Sequence, residues 1–378
     1  YPNRHGVLRN GYTVNAENEM LPELLAARGF RTAGFVSAFV MSDRFDFAQG
    51  FAHYDQYFDQ LIPESGVEYL QRSAGSTTDA AIRYLEESGV PERLFLFVHY
   101  FDPHPPYVAP EEFVARYDPA PAALPADPGQ VLQSQAHAGA DRATALQPYA
   151  WRYAAQITYL DREVGRLLAH LRETGILDDA LLLVTSDHGE NFWEHDAEVL
   201  FQHHKWVYQT TVHALGLVRL PGGRGGGTRL EAPASHVDLL PTLLAQLGLD
   251  ASDAVQGVAL DLLGGREAPA RPLFGLATGP HWPGGPPRQQ NARFVREGRF
   301  KLIQTPDAGT EALYDLAADP GETENLLATP SAEAAATAER LRAALGAWWD
   351  ASDPLPAAFG GMEKNDTIEK LRSLGYIE

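Results

Sequence analysis

The 378 residues contain no cysteine. That excludes disulfides, cysteine-rich zinc sites and a cysteine nucleophile within them, and it leaves the compartment open, because an exported protein needs no disulfide. No apolar run is long enough to span a bilayer. No signal peptide opens the chain, and Tyr1-Pro2-Asn3-Arg4-His5-Gly6-Val7 lacks an initiating methionine and reads as the interior of a longer protein. Positive charge is scarce: 30 Lys and Arg stand against 50 Asp and Glu, a formal net charge of −20. Such a field repels nucleic acid and acidic membrane surfaces. An anionic substrate then needs local cations or a metal to reverse the sign. There is no His-Glu-x-x-His helix, which disfavours a zinc protease, and no Gly-x-Ser-x-Gly elbow, which disfavours a serine hydrolase of that type. The glycine tract at residues 222–227 lacks the Lys-Ser/Thr ending of a phosphate-binding loop and reads as a flexible turn.

What is present is a core: 44% of the residues are hydrophobic, too many for a disordered chain. Met20, Leu21, Leu24 and Leu25 recur at helical spacing, and Gly29 ends that helix. Residues 33–40 read as a buried strand and its exit, and residues 78–87 as a second helix. Leu94-Phe95-Leu96-Phe97-Val98 is continuously apolar, as expected of a parallel strand covered on both faces. Residues 119–148, rich in Ala, Pro, Gly and Gln, read as a long surface excursion. Ile157, Leu160, Val164, Leu167, Leu168 and Leu171 form one stripe of a strong helix over 153–171. Strands follow at 180–185 and 215–220, then a helix at 237–247. This alternation predicts an α/β fold with a mainly parallel central sheet flanked by helices. From about residue 270 the pattern changes. A hairpin around Glu297-Gly298-Arg299, a strand at 312–314 and a helix at 331–349 predict a small α+β subdomain. The expected division is 1–270, 271–350 and a tail at 351–378.

Ligands in open α/β sheets bind beyond the carboxyl ends of the strands. One strand exit carries His99, Asp102 and His104; another carries Asp187, His188 and Glu190; His195, His203, His204 and Lys205 follow. Asp187 with His188 suits a divalent cation of the Ca, Mn, Fe or Zn type, with a turn closed by an Asx hydrogen bond as the equal alternative. His104, in a Pro-His-Pro-Pro frame, is placed to bond an anionic oxygen or protonate a leaving group; the alternative is a stiff loop with an incidental histidine. His99 reads as a core-edge residue with a satisfied ring nitrogen. Asp102 either buttresses His104 or starts the turn. His203, His204 and Lys205 can clamp a sulfate or phosphate, or be a basic spot at a helix start. His195 has no assigned part.

Thr185-Ser186-Asp187-His188-Gly189-Glu190 resembles the metal-ligand segment of the sulfatase family, in the alkaline-phosphatase superfamily. Asp102-Pro103-His104-Pro105-Pro106-Tyr107 resembles its substrate-histidine loop, and Phe201-Gln202-His203-His204-Lys205-Trp206-Val207-Tyr208 the segment bearing another substrate cation. Val237-Asp238-Leu239-Leu240-Pro241-Thr242, the hairpin, Leu313-Tyr314-Asp315-Leu316 and Asp319-Pro320-Gly321-Glu322 match the remaining landmarks in order. The resemblance implies an alkaline-phosphatase-like sandwich and hydrolysis of a small-molecule, glycan or lipid sulfate ester. It implies one divalent metal, calcium first, on Asp187 and His188. His104 would assist the leaving group, and His203, with Lys205 as close alternative, would be the second cation. Two departures stand out. The family's Cys/Ser-x-Pro-x-Arg nucleophile block, source of formylglycine, is expected upstream of Tyr1, so these residues alone are expected to be inactive. Ser37-Ala38-Phe39-Val40-Met41 stands where many sulfatases carry a Lys and a His, which favours the alternative of a phosphodiesterase, phosphonate hydrolase or phosphoalcohol transferase. A non-catalytic sulfatase-like binding protein is the third reading.

Overall fold

A computed structural model describes residues 1–58, 60–64, 67–105, 107–118, 121, 124, 141–195, 201, 203, 206–264, 270–278 and 292–357. The chain divides into two compact units, one made of Tyr1–Arg4 with Asp178–Pro354, the other of His5–Leu177 with Leu355–Glu378.

In the second of these, helix α1 (Leu21–Ala26) leads into strand β1 (Arg31–Phe35). A parallel three-stranded sheet forms in the order β2 (His53–Asp55), β1, β5 (Leu94–Val98), with Ala33 opposite both His53 and Leu96. Between them lie an antiparallel pair, β3 (Gln60–Glu64) and β4 (Val67–Gln71), and helix α2 (Ala74–Ser88). Ser73 caps α2 by accepting the Ser76 N–H, so the helix starts four residues earlier than apolar spacing predicts. A short helix α3 (Glu111–Val114) precedes α4 (Arg142–Glu173). α4 takes in seven residues, 142–148, that composition assigned to the surface excursion, Pro148 among them. Proline here removes one helical hydrogen bond. The start is held instead by Asp141, whose carboxylate accepts from the Thr144 N–H at 3.0 Å and hydroxyl at 2.6 Å, and by burial of Ala145, Leu146 and Tyr149. Ala74, Phe113, Val114, Ala155 and Tyr159 form the core joining α2, α3 and α4.

In the other unit, β6 (Leu182–Thr185) pairs antiparallel with β7 (Gly216–Arg219). Apolar runs carry no strand direction, so this pairing was not readable from composition. α5 (Gln209–Val212) and α6 (Leu239–Gln246) lie either side of β7 in sequence. An antiparallel four-stranded sheet then runs in the order β11 (Thr310–Asp315), β10 (Phe300–Thr305), β9 (Ala292–Glu297), β8 (Leu273–Ala277). The expected hairpin is β9–β10; its turn begins at Gly298, whose φ of 57° lies in the left-handed region. α7 (Ala332–Asp350), capped by Ser331, lays Ala334, Ala338, Leu341 and Leu345 on Val295, Leu302 and Leu313. This is the expected α+β element. Among the described residues no helix is long and apolar enough to cross a membrane.

Candidate active site

The β5 exit is braced by part-buried polar bonds. His99 N–H donates to the Phe35 carbonyl at 2.8 Å, and its Nδ1 accepts the Ser37 N–H at 3.4 Å. The Ser37 hydroxyl donates back to the His99 carbonyl at 2.7 Å. His99 is thus the core-edge residue with a satisfied ring nitrogen. Ser37 opens the stretch that lacks the two family cations, and its side chain is spent on this brace.

Asp102 starts the next turn and is 9% exposed. Its carboxylate accepts from the Ala74 N–H at the head of α2 (3.0 Å) and from the Gln156 side chain on α4 (2.9 Å). It therefore ties the His104 loop to two helices. The His104 ring stacks on Phe101, centroids 4.1 Å apart, with Nδ1 2.5 Å from the Pro105 carbonyl, to which it donates. These contacts fix the imidazole in one orientation.

Burial pushes the Asp102 carboxyl up to about 6 from 3.8, with Glu163 adding to it and the two hydrogen bonds opposing. Between these values the native state keeps a proton the unfolded chain has lost. Stability therefore falls as pH rises from about 4 to about 6 and is flat above, by about 3 kcal/mol for this group. Asp102→Asn is expected to remove that slope from the thermal midpoint measured across pH 4–7. A mutant profile parallel to wild type would contradict the assignment.

In the other unit, β6 delivers the Thr185–Glu190 segment. Thr185 donates its hydroxyl to the Leu215 carbonyl at 2.8 Å, and the Leu215 N–H donates to Ser186 Oγ at 2.8 Å. His236 Nε2 donates to the Ser186 carbonyl at 2.9 Å. Beyond these ties Asp187 projects, its side chain 83% exposed, with Oδ1 accepting the His188 N–H at 2.9 Å. Gly189 is required by close approach: a Cβ there would run into the Thr210 carbonyl.

His188 Nδ1 donates to the Gly189 carbonyl at 2.7 Å. In the neutral ring Nε2 is then a lone pair, and it lies 3.4 Å from Asp187 Oδ2. Two acceptors this close repel unless a proton or cation lies between them. A ring whose far nitrogen is fixed by a carbonyl is the usual arrangement of a metal-binding histidine. The pair fits a divalent cation as two of its ligands. Among the described residues no three His, Asp or Glu side chains converge to complete the set.

His203 stacks on His188 at 3.9 Å, and its Nδ1 faces the Glu190 carboxylate at 3.3 and 3.4 Å. Glu190, named in the sequence without a part, and the His188 ring together orient His203. His195 stacks on Tyr208 at 3.7 Å, and burial lowers its basicity. Lys205 and His204 lie outside the described residues. His236 was missed in the sequence because it stands about 50 positions from the serine it holds; the only local signal was its place just ahead of the α6 motif.

The sequence profile of the Sulfatase family matches residues 1–249, and that of the N-sulphoglucosamine sulphohydrolase C-terminal family matches residues 197–347. The chain belongs to the sulfatase family. An ulvan-active sulfatase of Formosa agariphila is 25% identical over 359 residues, covering 88% of this chain and 66% of that protein. A choline-sulfatase of Rhizobium meliloti is 29% identical over 276 residues, covering 68% of this chain and 50% of the relative. The chain thus spans one half to two thirds of the length of these relatives. A protein solved in complex with its substrate D-glucosamine-2-N,6-O-disulfate superposes with a TM-score of 0.71 at 19% identity, over 94% of this chain and 87% of that one. A phosphonate monoester hydrolase of Agrobacterium radiobacter gives 0.69 at 23%, over 92% and 84%. At these identities the likeness is one of fold. The α/β alkaline-phosphatase-like architecture expected from the sequence is borne out.

Proposed function

We propose that the sulfatase containing this chain hydrolyses a sulfate ester of a small molecule, glycan or lipid. Asp187 and His188 would hold its divalent cation, and His104, His203 and Lys205 would contact the ester. The observation that carries this is the Asp187–His188 pair, lone pair against carboxylate, beside the Glu190-oriented His203 in a member of the sulfatase family. The cation would be calcium first, with manganese, iron or zinc as alternatives; when bound, it supplies charge neutralisation for the ester oxygens. The chain's own side chains would neutralise charge and move the leaving-group proton. His203 adds positive charge toward those oxygens, with its Nδ1 proton held against Glu190. His104 delivers a proton to the departing alcohol oxygen, so the C–O⁻ charge does not build up as the S–O bond breaks.

The expected nucleophile is a formylglycine, and the 378 residues contain neither a cysteine nor a serine in the Ser-x-Pro-x-Arg pattern. Alone they are therefore expected to turn over nothing. Phosphoester or phosphonate chemistry is the second reading. It is favoured by the absence of Lys and His from Ser37-Ala38-Phe39-Val40-Met41 and supported by the fold shared with a phosphonate monoester hydrolase.

The test is a panel of aryl and alkyl sulfates with matching phosphonate esters, run on the active enzyme and its His104→Ala variant. Sulfates are expected to be the better substrates. The variant should lose about 10²–10⁴ in kcat on alkyl sulfates and little on nitrophenyl sulfate, whose leaving group needs no proton. Faster phosphonate turnover would move the enzyme to the second reading. Equal losses on both leaving groups would reduce His104 to a binding role. No turnover of any ester by the native protein would leave the non-catalytic reading.

A further inference from the structure

Lys301 and Glu322 stand apart from every residue assigned above. Both side chains are fully buried, 0% and 1% exposed, and Lys301 Nζ lies 2.7 Å from Glu322 Oε1. Burial lowers the lysine to about 8, with Glu322 opposing that shift. A buried ion pair adds little net stability over apolar residues of the same shape, so its place in the fold calls for another explanation.

Its contacts supply one. Glu322 Oε2 accepts the backbone N–H of Gln209, the first residue of α5, and Lys301 Nζ donates to the Gln209 side-chain oxygen at 3.1 Å. Both halves of the pair therefore grip one residue, the one directly after Tyr208. From α5 two bonds reach the Asp187–His188 turn: Gly189 N–H donates to the Thr211 carbonyl at 2.9 Å, and the Thr210 hydroxyl to Asn191 Oδ1 at 3.3 Å. Others hold the His203 side, with the Thr211 hydroxyl bonded to the carbonyls of Trp206 at 3.0 Å and Tyr208 at 2.9 Å. Val207 is buried against Phe294, Ile303 and Tyr314 of the sheet.

Glu322 is itself held at some cost. Its φ is 53°, a left-handed conformation that non-glycine residues rarely adopt. The loop is braced around it by Asp319, whose Oδ2 accepts the N–H groups of Thr323 at 2.7 Å and Glu324 at 2.8 Å. Backbone strain maintained by its surroundings is a feature of functional positions.

We propose that Glu322, with Lys301 as its buried counter-charge, is a positioning residue: through Gln209 and α5 it sets the placement of the Asp187–His188 turn and of the His203 segment. The C-terminal sheet then governs the geometry of the anion-binding residues as well as its own stability. The link to catalysis rests on the function proposed above; the positioning itself does not.

Hydrogen exchange on the full-length native protein separates the two. Two double variants carry no buried charge. Lys301→Met with Glu322→Gln keeps an acceptor for the Gln209 N–H, whereas Lys301→Met with Glu322→Ala removes it. The Ala form is expected to exchange about tenfold faster at 187–191 and 206–212, through a local opening, with β9–β11 unchanged. The Gln form should match wild type within about threefold on the same scale. Equal behaviour of the two variants, or loss of protection spread evenly over the sheet, would overturn the proposal. Because no ester is used, failure of the sulfatase reading would leave this result standing.

Discussion

Asp187→Ala, in a preparation that turns over sulfate esters, is expected to lose the divalent cation proposed for the site and about 10³-fold or more in kcat/KM. The side chain accepts the N–H of its neighbour His188, lies 3.4 Å from that ring's Nε2 and is 83% exposed among the described residues, so removing it costs the fold little. The loss is one of charge: the site proposed for the cation loses an anionic oxygen ligand and keeps from this turn a neutral imidazole nitrogen, a donor that a hard cation binds weakly. Metal content by plasma mass spectrometry, taken beside kcat/KM, checks both halves. A variant that kept its metal and lost activity would place Asp187 in substrate contact instead. One that kept both would remove it from the site.

Asp238→Ala is expected to act in the opposite manner, through stability. Asp238 is 0% exposed and pairs with Arg271. Its oxygens also accept the N–H groups of Val258 at 2.9 Å and Ser235 at 2.8 Å. Alanine leaves a partly buried guanidinium and two backbone donors without partners, about 3–5 kcal/mol in all. The same change frees the turn carrying His236, whose ring holds the Ser186 carbonyl immediately before Asp187. Denaturant unfolding is expected to show the midpoint drop with an unchanged slope. A loss under about 1 kcal/mol would mean that water replaces these bonds.

The elements legible in the sequence were those whose signal is local. The apolar run of β5, the stripe of α4 and the Glu297-Gly298-Arg299 turn each lie within one window, and so do the chemistry-bearing residues at the strand exits. The directions of β6 and β7 were not legible, because an apolar run has none. Nor was the start of α4, where Asp141 and three buried side chains outweigh Pro148. The supports of the site were hidden for a related reason. Asp102 is held by Ala74 and Gln156, Ser186 by His236, and Gln209 by Lys301 and Glu322, each partner many residues away. Motif reading finds side chains that face a ligand. It does not find the distant residues that aim them, and here those include a lysine and a glutamate that composition alone would place on the surface.

The most direct test of the sulfatase assignment is mass spectrometry of the native protein, isolated with its activity and treated with a hydrazine reagent that captures aldehydes. One captured residue is expected, a formylglycine within a Pro-x-Arg sequence, with loss of sulfate-ester turnover on capture. An active protein with no aldehyde, or one with threonine as its nucleophile, would contradict it and assign the site to phosphoester chemistry.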